Sequence, residues 1–466
     1  MHSRLPLALL ATAGILTGCA VGPNYERPEL ELPDAHRADT AEAPSSVPLP
    51  GWRDVFEDEI LQRLIERGLD NNLDLAATRS RMRQAEAELS RARAPLYPTI
   101  DLKAGGKRED KSVLTGGDGL IEDTYTFLGL LSWELDIWGF NRRRAEAATA
   151  DLESAEWRMY AQQVSLIGAI SATYYNLIAV NQQLALTQST ITTREQTLRI
   201  QELRNESGVI SGLEVAQAKV ALAQAEQQLP RLKNNQLVFE NQLRRLLGEA
   251  PDAVETTAQL QDMPLTEDLP AGLPSDLLER RPDVRVAELG LVAANAEVGV
   301  AKADLLPRIS LTGGFGQESA ELSDLLDSDG SRWIADLTVT QPVFNAGARR
   351  AAVSVAWERR EQAELAYIDT VLRSLEDVSN SLSTFTRAGE LAASTARLRD
   401  AAQEYLSLAT KRYSNGVIGY IDVLVAQRQY FDAELALIDA VRDRHLTVAL
   451  LYRSLGGGWE PEDDEG

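Results

Sequence analysis

The sequence is poor in the side chains that most often bind metals or act as nucleophiles. Its 466 residues include one cysteine, three histidines and four methionines. It contains no HExxH or CxxC motif, no Walker loop and no nucleophile elbow, so the common catalytic and metal-binding motifs are missing. We therefore expect no enzyme, no cofactor and no metal site. The scarcity of histidine and methionine also disfavours a role in exporting soft metals.

Basic residues are also fewer than acidic ones. The chain has 47 lysines and arginines against 70 aspartates and glutamates, which gives a net charge of −23 at pH 7. Binding to DNA or RNA depends on basic side chains that neutralise phosphates. The composition therefore argues against nucleic acid as a partner and indicates a well-solvated surface.

The single cysteine follows a short apolar segment at the N terminus. Residues 1–18 contain Arg4, an apolar run and a Leu-Thr-Gly triplet directly before Cys19. The run is too short to cross a bilayer, so we interpret it as an export signal. The pattern resembles a bacterial lipobox, in which Cys19 would be acylated. The alternative is a cleaved signal that happens to contain a cysteine.

The residues after Cys19 predict a destination and a tether. Ala20, rather than aspartate, follows the cysteine, which by resemblance to lipoprotein sorting favours the outer membrane. The chain is then rich in Pro, Ala, Asp and Ser, so we interpret residues 19–55 as an acylated tether. One acyl anchor holds a protein only modestly, so further membrane contacts are expected.

The mature chain contains two copies of one unit. The turns RNESGVISGLEV and KRYSNGVIGYIDVL place Gly208 and Gly416 208 residues apart, and Pro98 and Pro307 recur at nearly the same spacing. Each copy reads as helix, two strands, long helix, turn and long helix. We predict a first repeat at 56–250, a linker at 251–282, a second repeat at 283–457 and an acidic tail at 458–466.

Each copy contains two stretches in which apolar and polar residues alternate, as in a β-strand. The longer stretches run from Thr124 to Ile137 and from Arg332 to Phe344, and the shorter ones begin near Ile100 and Ile309. Aromatic residues near their ends suit membrane-barrel strands, but a half-exposed soluble sheet fits the periodicity equally well. The residues predicted to face water are Thr124, Thr126, Ser132, Glu134, Thr338 and Thr340.

The helical patterns are far longer than a compact domain requires. The first covers about 65 residues from Asn141 to Glu206, or roughly 100 Å at the rise of an α-helix. Apolar residues recur at heptad spacing, as in coiled coils. Pro230 lies inside the second helical pattern and is expected to kink that helix or end its regular packing.

Four strands cannot close a barrel. In lipid each unpaired backbone group costs several kcal/mol, so the chain must oligomerise or the strands are not membrane strands. Eight strands from two copies would leave no pore, whereas 12 strands from three copies would enclose a lumen. Twelve long helices would then form a tube below the barrel.

Several motifs resemble the TolC/NodT-type outer-membrane factors of tripartite efflux pumps. They are CAVGPNYERP, SWELDIWGFNRRRAEAA, the segment from Leu277 to Gly313, NGVIGYIDVL and LYRSLGGGW, which together extend along nearly the whole mature chain. The resemblance implies a mixed α and β membrane protein. It implies a homotrimer with a 12-stranded β-barrel in the outer membrane, four strands per chain, continuous with a long periplasmic α-helical barrel. It also implies two partners, a periplasmic adaptor and an inner-membrane RND-type pump.

The resemblance assigns the two short turns to the periplasmic tips, where adaptor hairpins dock. Glycine permits the positive φ that reverses a helix, and exposed Val and Ile at a tip have no core to enter. The alternative is that these apolar residues only staple the turn. The predicted docking residues are Gly208, Val209, Ile210, Ser211, Gly212, Leu213, Gly416, Val417, Ile418, Gly419 and Tyr420.

The resemblance also implies a gate beside the second turn. In the family a second acid commonly follows Ile-Asp-Val-Leu, and acidic side chains repeated by the trimer constrict the channel. Here Asp422 and Arg428 are kept, but Val425 stands in place of the second acid. The sequence therefore predicts a narrower, more apolar constriction from Ile421 and Val425 with one carboxylate ring.

The motif from Arg280 to Asp283 is expected to be structural, with Pro282 opening a helix and the arginines bridging carboxylates. The rival to an efflux channel is a periplasmic coiled-coil lipoprotein that scaffolds other proteins without conducting. That rival leaves the alternating aromatic strands unexplained.

Overall fold

The computed structural model describes residues 20–33, 50–110, 121–256, 259–265, 274–325, 327 and 330–457. The predicted signal peptide, Cys19, residues 34–49 of the predicted tether and the acidic tail lie outside these residues.

The described residues of the first half form two strands and five α-helices. Helices α1 to α3 are Trp52–Val55, Glu59–Asn71 and Leu73–Arg93. Strands β1 and β2 are Thr99–Asp110 and Ile121–Glu134, and the long helices α4 and α5 are Phe140–Glu206 and Gly212–Leu246.

The second half repeats the pattern. Helices α6 and α7 are Leu277–Arg280 and Pro282–Ala303, followed by β3 at Arg308–Ser319 and β4 at Ser331–Thr340. The long helices α8 and α9 are Ala348–Ser414 and Tyr420–Ser454. Both α4 and α8 have 67 residues, and both α5 and α9 have 35. The two long helices of one repeat therefore have the same lengths as those of the other, as the predicted duplication implies.

Pro230 does not end α5 or its regular packing, contrary to one of the two effects expected of it. The helix runs unbroken from Gly212 to Leu246 with Pro230 inside it. Proline removes one backbone hydrogen bond from a helix interior. Packing continues across this position because Leu232 is buried with Val180 and Leu184, and Leu229 packs against the same cluster.

Both long strands end earlier than the alternation predicts. Strand β2 ends at Glu134, although the Leu135 N–H still donates to the Ile309 carbonyl at 2.8 Å. The chain then turns because the Asp136 carboxylate accepts hydrogen bonds from the backbone N–H groups of Asn141 and Arg142, at 3.0 and 2.9 Å. Strand β4 ends at Thr340, two residues before Pro342, which has no N–H to donate.

The four strands form one antiparallel sheet in the order β1-β2-β3-β4. The pairing of Thr126 with Glu318 and of Leu130 with Gly314 joins the two halves through β2 and β3. The face of the sheet opposite to that of Thr126 and Leu130 carries the apolar residues of the alternation. Several of them are exposed, including Phe315 at 71% and Trp333 at 76%. An apolar face left open in this way is typical of strands that contact lipid.

The predicted water-facing side of the sheet is not uniformly polar. Directly paired residues share a face, so Leu128, Leu130 and Ile334 lie on the same side as Thr126 and Ser132. Leu128 is buried there, opposite Gly316. These apolar residues were not predicted on this face, because the prediction rested on the polar members of the alternation alone.

The chain divides into two compact units. The first comprises Met1–Leu30, Ser80–Glu156 and Val286–Asp369, and the second comprises Glu31–Arg79, Trp157–Arg285 and Thr370–Gly466. Helix α4 contains a stretch long and apolar enough to cross a bilayer, but 67% of that stretch is buried within the protein. Burial on this scale is typical of a core helix.

The core of the second unit is built around buried aromatic residues. Phe56 packs edge-on against Tyr452 with ring centroids 5.6 Å apart. Asp58 caps α2 by accepting from the Leu61 N–H at 2.7 Å and also accepts from the Tyr174 hydroxyl at 3.1 Å. Burial lowers the pKa of His445, whose Nε2 lies 3.1 Å from the Leu260 carbonyl oxygen.

The motif at the start of α7 has the predicted structural role. Pro282 is the first residue of the helix. The buried Arg281 guanidinium donates to both Asp283 oxygens at 3.0 and 2.6 Å and to Asp377 at 3.1 Å. It also donates to the Ser454 carbonyl at 2.8 Å, so one arginine joins α7, α8 and α9.

Gly316 provides a test of the sheet. A Cβ built at this position would lie 2.0 Å from the Phe127 carbonyl oxygen, so Gly316→Ala must push β3 away from β2. We expect a loss of about 1–3 kcal/mol in unfolding free energy, the usual cost of overpacking. Urea unfolding followed by the fluorescence of the strand tryptophans measures it.

Gly313 in the same strand is the control for that substitution. Nothing lies within 4 Å of a Cβ at Gly313. Gly313→Ala should therefore change stability by less than about 0.5 kcal/mol. Equal effects of the two substitutions would contradict the close strand approach.

Candidate functional site

The first short turn reverses the chain between α4 and α5. Gly208 has φ of 73°, in the left-handed region that favours glycine. The Val209 N–H returns to the Arg204 carbonyl at 2.9 Å, which closes the end of α4 in a Schellman-type cap. Ser211 then caps α5 by accepting from the Leu213 N–H at 3.2 Å.

The second turn, between α8 and α9, repeats the first at a spacing of 208 residues. Gly416 has φ of 72°, and the Val417 N–H donates to the Arg412 carbonyl at 2.9 Å. The N-cap differs, since Gly419 has no side chain to accept a hydrogen bond. The reversal at both turns therefore follows from glycine at the predicted positions.

The apolar residues of the turns divide into exposed and packed sets. Val209, Leu213 and Val417 are 64%, 65% and 60% exposed, so they do not staple their turns. Ile210 and Ile418 are half-buried. Tyr420 is buried with Ala218 and Val423, and this burial raises its pKa to about 12. Tyr420 therefore belongs to the packing beneath the turns rather than to their surface.

A polar contact that the sequence analysis missed connects the two turns. Tyr413 on α8 accepts hydrogen bonds at its hydroxyl from Arg204 at 2.8 Å and from Gln201 at 3.4 Å, both on α4. Its ring lies 5.8 Å from that of Tyr420. At the repeat spacing of 208 residues, Tyr413 corresponds to Asn205 of the first turn. This difference between the two copies was the signal in the sequence that could have pointed to the contact.

Three of the four predicted gate residues line one groove. The groove has a volume of about 380 Å³ and lies between α5 and α9, with Ile421, Val425 and Arg428 on one side and Leu213 and Val220 on the other. Asp422 is exposed and does not line it. Ile421 and Val425, which were predicted to act together with Asp422, thus line the groove, whereas Asp422 lies outside it on the same part of α9.

Arg194 of α4 also lines this groove and was not predicted. It is buried, and its guanidinium donates to the Ala221 carbonyl and lies 5.5 Å from the ring centroid of Phe431. Burial lowers the pKa of Arg194, while Asp432 acts in the opposite direction. A long-range contact of this kind leaves no pattern in a single sequence.

The duplicated architecture agrees with comparisons to known proteins. A family model described as outer membrane efflux protein matches residues 64–249 and again residues 273–457. The chain belongs to the outer membrane efflux protein family. The two matched ranges correspond to the two structural repeats.

Individual relatives cover almost the whole efflux protein. It is 32% identical over 461 residues to outer membrane protein OprJ of Pseudomonas aeruginosa, which covers 97% of this chain and 96% of the relative. It is also 32% identical over 461 residues to the toluene efflux pump outer membrane protein TtgC of Pseudomonas putida, covering 97% of this chain and 95% of the relative.

A solved structure has the same fold. The open state of the Neisseria gonorrhoeae MtrE outer membrane channel superposes with a TM-score of 0.85 at 30% identity, covering 94% of this chain and 98% of that one. The efflux protein is thus an outer-membrane channel component of an efflux pump, and the predicted fold class and location are confirmed. The non-conducting scaffold is set aside.

The turn glycines can be tested without disturbing any packing. Nothing lies within 4 Å of a Cβ at Gly416, so Gly416→Ala adds only the backbone cost of a left-handed residue, about 1–2 kcal/mol. We expect hydrogen exchange of the Val417 amide to accelerate about tenfold, since local opening reports that cost.

Gly212→Ala is the matched control for the turn. Gly212 also has open space around its Cβ, but it lies in the first turn of α5 without a positive φ. Its replacement should leave the exchange of the Val209 amide unchanged. Acceleration by both variants would show that any added methyl loosens the turns.

Proposed function

We propose that three copies of this efflux protein close a 12-stranded barrel in the outer membrane. The observation that carries the proposal is the four-stranded sheet whose outer strands, β1 and β4, each pair with one strand among the described residues. Open backbone edges are not tolerated in lipid, and pairing β4 of one copy with β1 of the next removes them. Three copies leave a lumen, which two do not.

The trimer would conduct passively and would hold an acyl anchor at Cys19. Its cargo would be small organic molecules, a class suggested by the toluene of the TtgC name. The protein would supply the exit route without a catalytic step, because the inner-membrane RND-type pump would supply the energy. The periplasmic adaptor would join pump and channel.

Native mass spectrometry of the protein extracted in mild detergent tests the assembly. A mass of three acylated chains is the expected result. A dimer, or a trimer that never conducts in planar bilayers, would contradict the proposal.

The adaptor would dock on the two short turns through Val209, Leu213 and Val417, with the glycines, Ile210, Ser211 and Ile418 shaping the surface. These three side chains are exposed at the ends of long helices and are the apolar surface that a partner hairpin could cover. Tyr420 would support that surface from beneath, because it is buried.

A charge introduced at the turns should weaken adaptor docking. Val209→Asp combined with Val417→Asp would place a charge at the centre of each apolar patch, and we expect adaptor recovery to fall at least about tenfold. Recovery is measured by crosslinking in cells and mass spectrometry of proteins that copurify with the channel.

Asn415→Asp is the control for docking. It adds the same charge at an exposed polar position of the second turn. Adaptor recovery should stay near that of the unaltered protein. If Val209 and Val417 tolerate aspartate equally well, the turns do not form the docking surface.

The gate would be formed by Ile421, Val425 and Arg428 at the groove and by the exposed Asp422 beside it. Three copies would then present one carboxylate ring and one apolar ring, instead of two acidic rings. The groove supports this arrangement because Ile421, Val425 and Arg428 line it together.

Single-channel recording in planar bilayers tests these roles. Val425→Asp should raise cation selectivity and Asp422→Ala should lower it, because fixed charges at a constriction select ions of opposite sign. Gln429→Asp is the control, since this exposed residue does not line the groove. Unchanged currents in both gate variants would remove these residues from the gate.

A further inference from the structure

Residues 20–28, directly after Cys19, make more contacts than a tether needs. They form no helix or strand, yet they contact other parts of the first compact unit, to which they belong, at several separate points. All of these points lie on α7 or on the start of α4 and the residues before it.

The beginning of the segment lies against the junction between β2 and α4. The Val21 N–H donates to the Trp138 carbonyl at 3.0 Å. Gly22, with φ of 116°, comes so close to Gly299 of α7 that a Cβ on Gly22 would lie 2.5 Å from the Gly299 Cα. A Cβ on Gly139 would likewise lie 2.7 Å from that of Ala20. The residue after Cys19 is therefore held at one place on the protein.

The middle of the segment is held by side chains from two helices. Arg143 in the first turn of α4 donates to the Asn24 side-chain oxygen at 2.9 Å. Asn295 of α7 donates to the Pro23 carbonyl at 3.0 Å and accepts from Arg360 of α8 at 3.2 Å. The segment thus cross-links elements from both halves of the chain.

The far end is held by a buried carboxylate. Glu288 of α7 is 4% exposed and accepts from the Arg27 guanidinium at 2.6 and 3.0 Å, a two-bond fork. The Tyr25 hydroxyl donates to the same carboxylate at 3.1 Å. Removing the partner of a buried charge is far more damaging than replacing both members, so Glu288 is a strong receptor for this segment.

The second repeat has the same junction, and no segment among the described residues covers it in the same way. Gly139 and Gly347 both precede a 67-residue helix and both have positive φ, at 80° and 86°. At the second junction Val343 and Phe344 are 93% and 88% exposed. The attached segment is therefore not required by the repeat fold itself.

We propose that residues 20–28 form a clasp that fixes the lipid-bearing N terminus beside the end of β2, with Glu288 as its buried receptor. The anchored acyl chains and the barrel strands then enter the outer membrane together. The inference rests on the proposed acylation of Cys19. Glu288 and Arg27 act as positioning residues, because they contact the segment rather than the lipid.

Arg27→Ala and Gly22→Val test the clasp from the side of the segment, which keeps α7 intact. Arg91→Ala is the control, since Arg91 forms an exposed ion pair with Glu88 in the same unit. Three quantities are measured: alkyne-palmitate incorporation at Cys19, hydrogen exchange of residues 20–28, and the fraction of protein in outer-membrane trimers.

The clasp variants should incorporate palmitate normally while residues 20–28 exchange at least about tenfold faster. The trimer fraction should fall at least about threefold against Arg91→Ala, and Arg27→Lys should restore part of it because it keeps the charge without the fork. A trimer fraction equal to that of Arg91→Ala, despite faster exchange, would overturn the clasp.

A double-mutant cycle links the clasp to the lipid. Cys19→Ser behind an ordinary cleavable signal removes the anchor, and adding Arg27→Ala should then cause no further loss of trimers. Independent, multiplying losses would show that the segment stabilises the fold without positioning the lipid, and would overturn the inference alone. Absence of label from the unaltered protein would overturn the proposed acylation and the inference with it.

Discussion

The β-sheet of this efflux protein, and every assembly that it can form in lipid, depends on the pairing of backbone groups at the sheet edges. The sheet takes one hairpin from each half of the chain, and the pairing of β2 with β3 joins them. That pairing satisfies the inner edges but leaves β1 and β4 with one partner strand each in the described part of the chain. In a bilayer no water is available to satisfy the outer edges, so the fold is completed only between chains. The four strands per chain thus limit which assemblies can conduct.

Periodic features of this fold could be predicted well from one sequence. Heptad spacing predicted the long helices, alternation predicted all four strands, and Gly208 and Gly416 predicted reversals that the structure has with positive φ. These features depend on neighbours in the chain. The ends of β2 and β4 were predicted too late, because Asp136 and Pro342 redirect the chain while the alternation continues past them.

Features that depend on distant residues could not be predicted in this way. Nothing near Tyr413 in the sequence indicates that Arg204 donates to it, and nothing near Glu288 indicates Arg27. Pro230 is a second example, in which a local signal pointed to a break that distant contacts prevent. Burial of Leu232 against Val180 and Leu184 maintains a helix that the local sequence disfavours. The positions of the two turns could therefore be predicted from the sequence, but the contacts around them could not.

The equal lengths of the paired helices have a consequence for how this protein can change. Each 67-residue helix begins just after a sheet strand and ends at one of the two short turns, so the number of residues sets the contour length between strand and turn. A deletion in one helix would leave its turn out of line with the other. Evolution and engineering must therefore shorten or lengthen both repeats together, and in steps that preserve the heptad phase. Because of the duplication, a change in the length of one long helix calls for the same change in the other.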